Sequence, residues 1–109
     1  MAYSEALSAL SDPTRRAIYE SLRGGARSVG DIASGFPVSR PAVSQHLRAL
    51  REAGLVREAR DGTRRLYAPN PAAALELRDY FQSMWECAMQ RYARHVAVEE
   101  KRHARKPRR

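Results

Sequence analysis

With 109 residues the chain has room for one domain and one modest core. Twenty Lys and Arg against twelve Asp and Glu leave a net charge of +8, and 18 of those cations are arginine, which points to a polyanionic partner while saying nothing of fold. A single Cys87 excludes an intramolecular disulfide. No apolar run nears the ~20 residues of a bilayer span, and the opening MAYSEALSAL lacks the basic flank of a signal peptide, so no membrane partner is expected and the compartment expected is the cytoplasm.

In chain order, Asp12-Pro13 reads as an N-cap and a proline at the first helical position, opening a helix through Leu22. A shorter helix precedes it, and Leu7, Leu10, Ala17, Ile18 and Leu22 are the apolar neighbours of the pair. Gly24-Gly25 stops it. Ser28 with Asp31 three residues on resembles a capping box and starts a short helix through about Ser34, which Gly35-Phe36-Pro37 turns sharply. Ser39 caps the next helix, with Pro41 in its first turn, and this one runs to Ala53 with Gly54 as its left-handed terminator. Along it Val43, Leu47 and Leu50 face a core, whereas Arg40, Ser44, Gln45, Arg48 and Arg51 make the opposite face polar.

Leu55–Arg60 and Thr63–Ala68 are strand candidates around Asp61-Gly62, a two-residue hairpin signal. After Asn70-Pro71 a long helical pattern runs to about Val98, with Leu77, Phe81, Met84, Trp85, Ala88, Tyr92 and Val96 in one stripe. Residues 99–109 hold six cations around Pro107 and are expected to be a disordered basic tail, leaving 1–98 as the domain. The fold class expected is mainly α (α+β): a winged helix-turn-helix with a two-stranded wing and a long C-terminal dimerisation helix.

Charge is segregated along this plan. Residues 1–37 are neutral and 68–100 come to −2, while 38–67 carry +4. The excess inside the fold therefore sits on the second helix of the helix-turn-helix and on the hairpin. Such a helix fits the major groove of B-DNA, and the residues at its N-terminal end reach base edges. Ser39, Arg40 and Pro41 stand at that end. Arg40 suits guanine and Gln45 adenine, Ser44 suits a base or a phosphate, and Arg48 and Arg51 suit phosphate. In the hairpin Arg57, Arg60, Thr63, Arg64 and Arg65 surround a tip that can follow a minor groove or backbone. The plain alternative is a solvated surface. A winged helix that binds protein or RNA is a rival, disfavoured because the outer face carries arginine instead of apolar anchors. For an enzyme there is no nucleophile–base pair, no phosphate loop and only three His. No cofactor is called for.

The run VSRPAVSQHLRALREAGLVREARDGTRRLYAPN, with SDPTRRAIYESL before it, resembles the ArsR-type (ArsR/SmtB-like) family of winged-helix repressors over roughly residues 5–95, most closely its branch without a metal site. The resemblance implies a homodimer on a palindromic operator in double-stranded DNA, repressing by blocking the promoter; the residues name no inducer. It places Arg40, Ser44 and Gln45 toward bases, with His46 beside them and partly packed. One metal site of the family needs two Cys around a Val, where this chain has Ser28-Val29-Gly30. A second, on the last helix, meets Asp79 and His95 at two positions but Phe81 and Tyr92 at the others, which is no tetrahedral zinc site. Cys87 is expected to be a small packed hydrophobe rather than a redox switch. The stripe from Leu77 to Tyr92, with Leu7, is expected to form the dimer seam; lining a ligand pocket is the alternative.

Overall fold

The computed structural model describes residues 2–105. The chain divides after Leu77 into two compact units. The first contains helices α1 (Ala2–Ala9), α2 (Pro13–Ser21), α3 (Val29–Ser34) and α4 (Arg40–Glu52), strands β1 (Arg27–Ser28), β2 (Val56–Asp61) and β3 (Arg64–Pro69), and the start of α5 (Pro71–Arg105). The second is the remainder of α5. No helix of the described residues is long and apolar enough to cross a membrane.

Helices α2, α3 and α4 begin where their capping chemistry requires. Asp12 is extended and its carboxylate accepts the Arg15 N–H at 2.9 Å, with Pro13 at the first helical position. That bond, foremost, holds the Asp12 carboxyl below the usual carboxylate range. Ser28 Oγ accepts the Asp31 N–H and Ser39 Oγ the Ala42 N–H, each at 3.2 Å, opening α3 and α4. Between these two helices Gly35 and Phe36 donate back to Ile32 and Ala33, and the chain turns through Pro37 and Val38 into the Ser39 cap.

The C-terminus of α4 sets up the wing. Gly54 takes φ +80°, its N–H bonds the Arg51 carbonyl at 2.9 Å, and the Leu55 N–H bonds the Leu50 carbonyl at 2.9 Å. This is a Schellman closure, with buried Leu50 and Leu55 as its apolar contact. Leu55 thus still belongs to the helix end, so β2 starts at Val56, one residue later than expected. The hairpin shifts with it. Asp61 pairs with Arg64, the two-residue loop is Gly62-Thr63 rather than Asp61-Gly62, and Gly62 alone carries positive φ, +64°, at the first loop position, as a type II′ turn demands. Asn70 closes the wing's base: its N–H bonds the Leu55 carbonyl at 2.8 Å and its side-chain amide the Gly54 carbonyl at 2.9 Å.

The sheet has three strands, in the order β1-β3-β2, all antiparallel, so the expected two-stranded wing gains a member. Arg27 opposes Tyr67 and Ser28 opposes Leu66. Two residues are too few to show alternation, so β1 leaves no periodic trace in the sequence. The core is one cluster. Ile18, Leu22, Ile32, Val43, Leu47, Leu50 and Leu55 are fully buried, joined by Ala6, Ala9, Val56, Tyr67 and Leu77. Burying a Leu or Ile this completely is worth about 1.5–3 kcal/mol apiece, so helices and wing base are held together through these side chains.

In the second unit α5 continues beyond the expected Val98 to Arg105, giving a 35-residue helix. Residues 101–105 are therefore helical, which corrects the expectation of disorder there. Lys101 and Arg102 suit the negative end of a helix, and Arg102 pairs with Glu99 at 3.3 Å. Pro107 and the rest of the expected tail lie outside the described residues. Cys87, expected to be packed, is exposed.

Candidate nucleic-acid interface

Helix α4 divides its residues between two environments. Val43, Leu47 and Leu50 are fully buried, and this anchors the helix with Arg40, Ser44, Gln45, Arg48 and Arg51 outward. His46 lies at the boundary, half-buried beside Leu47. Ser39 and Pro41 are exposed at the helix start, where the Ser39 hydroxyl is already engaged as the cap. Opposite, β3 presents its arginines. Between helix and wing lies a groove of about 560 Å³, and Arg40, Ser44, Arg48, Arg51, Arg64 and Arg65 line it together with Thr63. Gln45 and Arg60 are exposed but do not line it. Ser28, Val29 and Tyr67 line it too: Tyr67 lies on β3, and the pairing of β1 with β3 sets Ser28 and Val29 beside it, which no local pattern signals.

Acidic side chains order these cations. Arg48 Nε pairs with Glu52 at 3.1 Å along α4. Arg64 reaches away from the hairpin to the start of α3, donating to Asp31 Oδ2 at 3.1 Å and Ser28 Oγ at 3.3 Å. Arg51 pairs with Glu58 of β2, and Arg65 Nε lies 3.4 Å from the same carboxylate. Among the described residues Arg40 is the groove arginine without an ion pair. Its guanidinium rests over α3, where a Cβ placed on Gly30 would be 3.4 Å from Nη2. Arg60 stands directly across the ladder from Arg65. Like charges opposite one another are destabilising, and a polyanion on this face relieves that repulsion.

Three cations of the first unit serve structure, Arg27 by donating to the Asp31 carbonyl at 2.9 Å. Arg15 and Arg16 donate to the carbonyls of Ala9 and Leu10 at the end of α1. The positive face is thus concentrated on α4 and the wing, the shape and charge of a duplex-binding surface.

Comparison with known proteins agrees with this geometry. Residues 10–59 match a helix-turn-helix domain family. The chain is 46% identical to the HTH-type transcriptional regulator Rv2034 of Mycobacterium tuberculosis over 91 residues, 84% of this chain and 85% of that protein. An ArsR-like transcriptional regulator from Rhodococcus superposes with a TM-score of 0.70 at 29% identity, over 91% of each chain. The chain belongs to the ArsR-type family of winged helix-turn-helix transcriptional regulators. A homodimeric winged helix-turn-helix DNA-binding domain of Mycobacterium bovis, described as a possible ArsR-family regulator, matches with TM-score 0.64 and 28% identity over 78% of this chain and 79% of that one. Members of the family are DNA-binding regulators and not enzymes.

On the α5 of this ArsR-type regulator, Asp79 is taken by Arg78, with Nη2 at 3.1 Å, and no group of three or more His, Cys, Asp or Glu able to hold a metal occurs among the described residues. Phe81, Met84, Trp85 and Tyr92 are 53%, 53%, 63% and 64% exposed, and Ala88 is exposed between them. Leu77, expected in the same seam, is instead buried in the chain's own core, and Leu7 is half-buried against that core.

Proposed function

We propose that this regulator is a repressor that binds a palindromic operator as a homodimer, and that it does so without sensing a metal. The observation that carries the reading is the arginine-lined groove between α4 and β3. In this reading α4 enters the major groove, Arg40, Ser44 and Gln45 meet base edges, and the exposed arginines of α4 and the wing, Arg60 beside the loop among them, face the phosphates. His46, half-buried, packs at the edge of this face.

A second copy of the chain is supported by α5. Phe81, Met84, Trp85, Ala88 and Tyr92 recur at helical spacing, and so large an exposed apolar stripe calls for a cover. Two copies related by a two-fold axis require two half-sites, about 10–10.5 bp apart or a multiple of that. Phe81 and Tyr92 offer carbon and a phenol where a zinc site needs ligands.

Selection of bound duplexes from a random pool tests the reading. The expected result is an inverted repeat with that spacing, whose complex is indifferent to zinc, cadmium and arsenite. A single unrepeated half-site would refute the palindrome, and release of DNA at stoichiometric metal would refute metal-independence.

A further inference from the structure

Glu58 is unusual within the groove. Its Oε2 accepts from Arg51 of α4 and its Oε1 faces Arg65 Nε of β3 at 3.4 Å, so both carboxylate oxygens hold a cation from a different element. The Glu58 side chain is 18% exposed, against 60% for Arg51 and 59% for Arg65. The anion is sheltered beneath two guanidinium groups that face the incoming ligand. Its ion pairs are screened less by salt than the open Arg48–Glu52 pair, whose side chains are 81% and 68% exposed. The charge of Glu58 offsets that of the two guanidinium groups, so a phosphate arriving in the groove meets cations already partly neutralised.

We infer that Glu58 is a built-in competitor of the DNA backbone: it withholds Arg51 and Arg65 from the phosphates of random duplex, and by tying α4 to the wing it sets the discrimination between operator and random DNA. This rests on the DNA-binding reading above. A cation held by Glu58 neutralises no phosphate and releases no counterion, so it adds nothing to non-specific attraction. At the operator, base contacts depend on the angle between α4 and the wing, which the bridge fixes. Removing the charge of Glu58 therefore frees two cations for any sequence while loosening the geometry that only the operator uses. Random DNA gains and the operator does not.

The test is Glu58→Gln, which keeps the shape and removes the charge, compared with wild type on a mixed-sequence duplex and on the selected operator across a salt series. On the mixed-sequence duplex the slope of log affinity against log salt should steepen by about 1–2, at about 0.9 per phosphate, and affinity near 0.1 M salt should rise roughly tenfold. The operator-to-random ratio should fall by a similar factor. A second variant, Glu52→Gln, removes the open Arg48–Glu52 pair instead and should leave the random-duplex slope near the wild-type value, because that exposed pair is screened and withholds little. A wild-type slope in Glu58→Gln, or an equal steepening in Glu52→Gln, overturns the inference while wild type still binds duplex. Failure of wild type to bind any duplex overturns the DNA-binding reading itself.

Discussion

Arg40 illustrates how a single side chain acquires its task. It stands at the N-terminal end of α4, which the Ser39 cap and Pro41 locate from sequence alone. Its lack of an acidic partner among the described residues does not follow from those signals; it depends on where Glu52, Glu58 and Asp31 come to lie. Because no partner is orphaned by its removal, Arg40→Ala is a clean probe. It should cost about 1–3 kcal/mol of operator binding and relax preference at one base pair in each half-site. Titrations on operator and scrambled duplexes decide this. An equal loss on both would make Arg40 a phosphate contact. Glu58 is the opposite case. Nothing at position 58 distinguishes it in sequence from Glu52, yet one carboxylate bridges two elements and the other a single helix turn.

Among the elements, the helices were legible because each carries its own start and stop: Asp12-Pro13, Ser28, Ser39 and Gly54 all act locally. The wing was legible to within one residue. The Schellman closure keeps Leu55 in the helix end and so delays the start of β2, while the register is set separately by the turn, which falls on Gly62-Thr63 with positive φ at Gly62. α5 runs past the boundary that charge repulsion and Pro107 suggest, because Glu99 pairs with Arg102 and the helix dipole favours cations at this end. The end of the chain is strongly basic, with six cations in residues 101–109. Deleting those residues should flatten the salt dependence of binding and weaken operator and random duplex alike, since each neutralised phosphate contributes about 0.9 to the slope. The ratio between the two duplexes should stay nearly unchanged. Lines of equal slope for truncated and full-length protein would leave the segment no part in DNA binding.

At the scale of the molecule, the described residues of the first unit share one core cluster, and the second unit carries a large exposed apolar stripe. The core takes Leu77, but the stripe that follows on α5 is left more than half exposed at Phe81, Met84, Trp85 and Tyr92. Trp85→Ala removes the largest of these side chains without touching the core, so its effect should fall on association and not on the fold of a single chain. Central aromatic anchors of this kind contribute roughly 2 kcal/mol or more, which corresponds to about a thirtyfold rise in the dimer dissociation constant. Sedimentation equilibrium of wild type and variant measures it directly, with circular dichroism to show an unchanged fold. Wild type running as a monomer at micromolar concentration would remove the premise.

Local chemistry alone decided the helices of the helix-turn-helix, the hairpin and the polar face of α4, because caps, turn residues and helical periodicity act over a few residues and survive in one dimension. Tertiary contact decided the rest. β1 exists only because β3 is beside it, and that pairing is what sets Ser28 and Val29 against the groove. Which arginines are held and which are free depends on carboxylates up to 33 residues away in the chain, as with Arg64 and Asp31. Ion pairing is set by distances of a few ångströms in space, and sequence separation does not encode those distances.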